Sequence, residues 1–279
     1  MTAAALRMSK GRPTRAALAL AVLSVLSVSC GKPFLKLPSG PGAPASDGRE
    51  AFEQATAACR RVSSITLEIA VTGSIGGRRT RGRLSAGLAR PASARLEAVA
   101  PFGQPVFMFV ANGDDATLLL PRDNRVLEHG RADAVLEAIA GVALDAPALL
   151  AVVTGCAAAP DPARAVALGE TWRMAPDGPD QVYLRRDRAA EPWRLAVTVH
   201  RAADSGWRAE YRDYQNGLPR AIRLASASAG RFDLQLGLSQ IDVTTPLGAD
   251  VFRIRIPASA APVSLDELRE SGPLSAHGR

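Results

Sequence analysis

Histidine and cysteine are scarce in this chain of 279 residues, with three of each. The histidines are His129, His200 and His277, and no two stand at the helical spacing that holds zinc. Each reads as a surface residue. No Gly-x-Ser-x-Gly elbow and no phosphate-binding loop occurs. Asp114-Asp115 pairs two carboxylates, but adjacent acids after Asn112-Gly113 read as a solvated turn. The chain is therefore expected to be no enzyme, with no catalytic residue, no metal ligand and no cofactor. Aromatics amount to only 5%. The uncharged stretch from Ala16 to Ser29 falls short of the roughly 20 residues a spanning helix needs. Lysine occurs only at Lys10, Lys32 and Lys36, and every later base is Arg. That bias, with abundant Ala, reads as a GC-rich genome.

What remains supports a folded domain. Hydrophobic residues make up 47% and charged residues 22%, enough for a sizeable core and against wholesale disorder. The net charge of +7 suggests nucleic acid at first sight. However, Arg7, Lys10, Arg12 and Arg15 lie in an acid-free start, and without them the balance is +3. Nucleic acid is not an expected partner.

Arg7 to Arg15 make a positive n-region, and Ala16 to Ser29 an apolar stretch ending in small residues. Together they read as a secretory signal over residues 1–29. Leu26-Ser27-Val28-Ser29-Cys30 resembles the bacterial lipobox, with Ser27 where Leu is commonest. That resemblance implies lipidation of Cys30 and stable anchoring by two or more acyl chains. The alternative is an ordinary signal with an incidental Cys. Gly31 in place of Asp implies the outer membrane, on its periplasmic face. Residues 30–46, rich in Pro and Gly, read as a flexible tether.

One domain is expected over 47–257, with a loosely held tail over 258–279. Asp47-Gly48-Arg49-Glu50 reads as a capping box opening a helix to about Val62. From Ser64 the period becomes two: Ile65, Leu67, Ile69 and Val71 alternate with polar or small residues. After a glycine turn, Arg79, Arg81 and Arg83 alternate on a return strand. Further strands follow to His129. Short helices are expected near Asp133–Ala140 and over Ala146–Thr154, the second capped by Asp145 and stopped by Gly155. The second half is again strands, among them one from Phe232 to Val243 with a bulge near Ser239 and a last one through Phe252, Ile254 and Ile256. The fold class is mainly β (α+β). A single curved antiparallel sheet would form an incomplete barrel of about 11 strands, at most about 13, with short helices on its concave side.

Several features recur in a known order. Ala100-Pro101-Phe102-Gly103-Gln104 joins two strands. Gly141, Leu144-Asp145-Ala146-Pro147, Leu149-Leu150 and Gly155 mark the helical region. Trp193-Arg194-Leu195, then Gly206 to Tyr211, Leu218-Pro219 and Val251-Phe252-Arg253-Ile254 close the chain. This order resembles the LolB outer-membrane lipoprotein receptors and their LolB-like relatives in the LolA/LolB superfamily. The resemblance implies an apolar hollow for acyl chains of lipids or acylated lipoproteins. It also implies a periplasmic carrier protein as partner and insertion of lipoproteins at the outer membrane, by a monomer. A non-catalytic envelope scaffold that binds a protein without lipid is the alternative.

For the hollow we select Leu67, Ile69, Leu96, Phe107, Phe109, Leu118, Leu136, Ile139 and Leu150, for each of which plain core packing is the alternative. In the family an apolar residue at a Pro-Leu-Gly turn helps insertion into the membrane; here Phe102 stands at that place. Phe102 either protrudes or folds onto the rim of the sheet. Ile75, at another turn, is a second membrane-contact candidate. Arg79, Arg81 and Arg83 would meet anionic headgroups or simply form a solvated face. Cys59 and Cys156 are either a disulfide or two buried thiols.

Overall fold

Two six-stranded meanders share one sheet. The computed structural model describes residues 33–271 apart from 100–104, 157–160, 178–179, 203–204 and 229. Cys30 with the signal segment, the Pro101-Phe102-Gly103 turn and the last residues of the tail lie outside the described residues. Every element below belongs to the unit from Leu37 onward.

The first meander runs β2 (Ser64–Ile75), β3 (Arg78–Ala89), β4 (Ser93–Val99), β5 (Met108–Asn112), β6 (Asp115–Leu120) and β7 (Arg125–Arg131). The second runs β9 (Trp172–Asp177), β10 (Asp180–Arg185), β11 (Arg194–His200), β12 (Trp207–Arg212), β13 (Ala221–Ser226) and β14 (Phe232–Asp242). β14 returns to pair antiparallel with β2, which fuses the two meanders. Three strands of two residues complete the sheet: β1 (Ala43–Pro44), β8 (Val166–Ala167) and β15 (Ala261–Pro262). The sheet thus has 15 strands, more than expected, because two-residue strands carry no readable alternation. Its order begins at β1 and ends at β15 without closing. It is one large, curved, unclosed antiparallel sheet, an incomplete barrel with helices. Among the described strands, only β15, against β7, is parallel.

Alternation decides which face is buried. In β2, Ile65, Leu67, Ile69 and Val71 are buried, while Ala70 and Thr72 are exposed. In β14 the register shifts between Ser239 and Asp242, and Gln240 takes a φ of 50°, the bulge expected there.

Among the described residues, four helices pack on this frame. Helix α1 (Gly48–Thr56) buries Ala51, Phe52 and Ala55 and ends in a 3-10 turn, Cys59–Arg61. The expected capping box does not form. The Asp47 side chain makes no cap hydrogen bond and is instead held by Arg173, while Glu50 accepts from Gln54. Helix α2 (Ala132–Ala140) contacts β6 and β7. Helix α3 (Ala146–Thr154) contacts β3 and β4. Its start is set by Asp145, whose carboxylate accepts from the Ala148 amide at 2.7 Å, with Pro147 in the first turn. Its end is Gly155, at a φ of 64° that suits glycine.

Three boundary expectations are corrected. The tether is fixed at its end, where Ala43 and Pro44 pair with Ala167 and Val166. Phe252, Ile254 and Ile256 form no strand. Arg95 donates to the carbonyls of Val251 and Arg253 at 2.9 Å each, and Asn112 to that of Phe252 at 3.0 Å. Side chains therefore satisfy that backbone in place of a ladder. The described part of the tail is packed, not loose. After β15 comes helix α4 (Leu265–Ser271), which packs on α2 and buries Leu268 completely. A capping box opens it: the Ser264 amide donates to Glu267 at 2.8 Å, and the Glu267 amide to Ser264 Oγ at 3.2 Å.

Candidate functional site

The concave face is only partly filled. Between the sheet and helices α2 and α3 lies a cavity of about 790 Å³. It occupies the turn half of the β2–β3 hairpin, from Ile69 to Ile75 and from Thr80 to Leu84, and extends to Leu96 and Ala98 of β4. Val106 and Phe107, before β5, continue the wall. Leu136 and Ile139 of α2 close one side, and Leu149, Val152 and Val153 of α3 another. The second meander contributes Leu224, Leu234 and Leu236. The polar lining residues are Thr72, Thr80, Arg81, Arg83 and Arg122. No carboxylate, imidazole or thiol is in the lining among the described residues.

Helices α2 and α3, of nine residues each, cover only part of the sheet. The end near Ser64 and Leu67 is solid, with Leu88 and Ile65 fully buried. Of the selected residues, Ile69, Leu96, Phe107, Leu136 and Ile139 line the cavity. Leu67, Phe109, Leu118 and Leu150 do not; they belong to the packed core, each at most 5% exposed. Leu67 lies in the solid end of β2. Phe109 and Leu118 pair with each other a rung beyond Phe107. Leu150 is turned about 100° from Leu149 on α3, away from the hollow. Leu234 and Leu236 stand two apart on β14 and so share a face. Sequence reasoning missed them as lining because it had no sign that β14 pairs with β2.

Ile75, Arg81 and Arg83 also touch the cavity, whereas Arg79 does not. By alternation the three arginines stand on the face opposite Leu84. Arg81 and Arg83 join the lining on either side of Gly82, which has no side chain of its own. Arg83 meets Glu68 at 3.9 Å in a well-exposed pair of little energetic weight.

Cys59 and Cys156 are bonded, with their Cα atoms 5.6 Å apart. The bridge fixes the chain just after α3 to the turn after α1. Beside it, the Tyr214 hydroxyl donates to the Leu195 carbonyl at 2.6 Å, and burial pushes its pKa up. His200 meets Asp180 at 2.5 Å and stacks on Trp207. His129 meets Asp115 at 3.3 Å on the surface. Among the described residues, no group of three His, Cys, Asp or Glu is placed to hold a metal ion. Among them, too, no helix is long and apolar enough to cross a membrane.

Solved structures are similar to this chain. A DUF1329 family protein from Desulfovibrio piger matches with a TM-score of 0.50 at 8% identity, over 75% of this chain and 98% of that one. The LolA superfamily protein NE2245 from Nitrosomonas europaea matches with a TM-score of 0.49 at 11% identity, over 75% of this chain and 99% of that one. At 8% identity the likeness to the DUF1329 family protein is one of fold. No protein-family model matches the sequence, and no curated protein does.

Proposed function

We propose that this protein is a non-enzymatic, lipid-anchored envelope protein that holds the acyl chains of a lipid or an acylated protein in its concave cavity. The observation that carries this reading is the cavity itself: about 790 Å³, walled mainly by aliphatic side chains from both meanders and two helices. That volume lies within the usual range for ligand pockets, roughly 300–1,000 Å³. The lining offers burial and dispersion and no acid–base pair. Each buried methylene is worth about 0.8 kcal/mol. A chain moving from one apolar hollow to another therefore exchanges like for like, and transfer needs no chemical energy.

The order of features that resembles the LolB-like receptors supports the finer reading. In it, Cys30 is lipidated and tethers the domain to the periplasmic face of the outer membrane. A periplasmic carrier delivers acylated lipoproteins to the monomer, which passes them to the bilayer. Phe102, Ile75 and the arginines of β3 would meet that membrane.

The test is extraction of the full chain, purified from its native host, followed by mass spectrometry of whatever it retains. Lipid or acylated peptide at near-stoichiometric amount is expected. A protein that never retains either would end the carrier reading and leave the scaffold. Depletion in the host, with fractionation of lipoproteins, tests the receptor role; correct sorting without the protein would remove that role alone.

A further inference from the structure

Gly82 lies in the middle of β3 and pairs with Val71 of β2. A glycine inside a strand costs entropy and gives nothing to pack, so it needs a reason. The usual reasons are a positive φ, a bulge, or another backbone close by. None holds at Gly82. Its φ lies outside the left-handed range. The β2–β3 ladder runs through it without a register shift. A Cβ built there meets no atom of the described residues within 4 Å. Other glycines of this hairpin differ. Gly73 has a φ of 143°, and a Cβ on it would strike the Asp233 carbonyl. Gly87, on the opposite face, lies under Leu247, 3.5 Å from where its Cβ would be. The open space at Gly82 is the cavity: Gly82 lines it, as do its same-face neighbours Thr80 and Leu84.

We propose that Gly82 sets the length of acyl chain that the cavity accepts. This rests on the lipid-binding reading above. Bare backbone at Gly82 lengthens the hollow at the turn end of the hairpin, and the last methylenes of a long chain lie against it beside Val71 and Leu84. Any side chain at position 82 occupies that space and leaves those methylenes in water. Each excluded methylene is worth about fourfold in affinity. The selectivity is therefore graded by chain length and indifferent to the headgroup.

Competition on the full chain reads this directly, with laurate, palmitate and stearate displacing a fluorescent fatty acid. In the unaltered protein affinity rises from laurate to stearate. Gly82→Leu keeps laurate within about twofold and weakens stearate by about tenfold or more. Gly82→Ala falls between. Leu84→Ala, which widens the same wall, shifts preference toward stearate, so the two smaller changes read the proposal even if the leucine variant does not fold. A folded Gly82→Leu protein whose ratio of stearate to laurate affinity is unchanged, all three acids losing equally or not at all, overturns the role of Gly82 and leaves lipid binding standing. An unaltered protein that binds neither the probe nor any of the acids overturns both.

Discussion

The Asp47 carboxylate accepts two hydrogen bonds from the Arg173 guanidinium, from Nε at 2.6 Å and Nη2 at 2.8 Å. Arg173 also lies over the Trp193 ring, 4.6 Å from its centroid, and Arg186 lies 4.4 Å from the same centroid. The pair ties the start of α1 to β9 across 126 residues of sequence. Arg173 is almost wholly buried, so removing its partner leaves a desolvated cation. Asp47→Asn should cost about 2–4 kcal/mol in urea unfolding, less than a fully buried pair because Asp47 keeps some exposure. The hydrogen bond from Arg173 holds the Asp47 pKa below its ordinary 3.8. A depressed carboxylate stabilises the fold above its unfolded pKa and loses that contribution as pH falls through the folded one. The acid limb of stability below about pH 3.8 should therefore flatten in Asp47→Asn; an unchanged limb would show the pair to be energetically idle.

The Cys59–Cys156 bridge spans a sequence separation of 97 residues. Closing a loop of about that length restricts the unfolded chain strongly, and loss of such a bridge costs about 2–5 kcal/mol. The double change to Ala should lower stability by that amount. Cys156 directly follows Gly155, the end of α3, so loosening should concentrate there. Hydrogen exchange over residues 146–154 is expected to rise more than over β2. Alkylation of the denatured, unreduced protein checks the bridge itself, since adducts on both cysteines would exclude it.

What was legible in the sequence was local. Asp145, Pro147 and Gly155 are all short-range signals, and together they placed α3 with the bounds it has. The alternation in β2 and the bulge in β14 were likewise readable. Misreadings arose where a distant group changed the local balance. Asp47-x-x-Glu50 has the capping-box pattern, but Arg173 offers Asp47 two charged donors and wins. The box that does form, Ser264-x-x-Glu267, sits where nothing in the neighbouring sequence announces a core. Phe252, Ile254 and Ile256 alternate like a strand, yet Arg95 and Asn112 take their backbone. The cavity depends on β14 meeting β2, a pairing between segments more than 150 residues apart, and no local pattern encodes it.

The C-terminal helix should be the acid-sensitive part of the described fold. Glu267 accepts from the Ser264 amide and hydroxyl and meets Arg125 at 2.9 Å, which together push its pKa down to about 2 from 4.5. Its contribution is whole above about pH 4.5 and disappears as pH falls toward 2. Protection of amides over residues 261–271 should fall in that window, before the central strands open. Glu267→Gln should show the same loss at neutral pH. Equal protection in the variant would mean that Leu268, not the cap, holds the helix.

Neighbouring leucines on α3 separate cavity from core. Leu149 lines the cavity and is half-buried, whereas Leu150 is 5% exposed and packs in the core. Truncating a packed leucine costs about 2–5 kcal/mol, because transfer energy and a new void add. Truncating one that already borders a void costs less, since few contacts are lost. Leu150→Ala should therefore lower the unfolding midpoint strongly and leave fatty-acid affinity nearly unchanged at a temperature where the variant is folded. Leu149→Ala should do the reverse, with about 1 kcal/mol or less of stability lost and a measurable change in affinity. If both variants change stability alike and neither changes binding, acyl chains do not occupy the space beside α3.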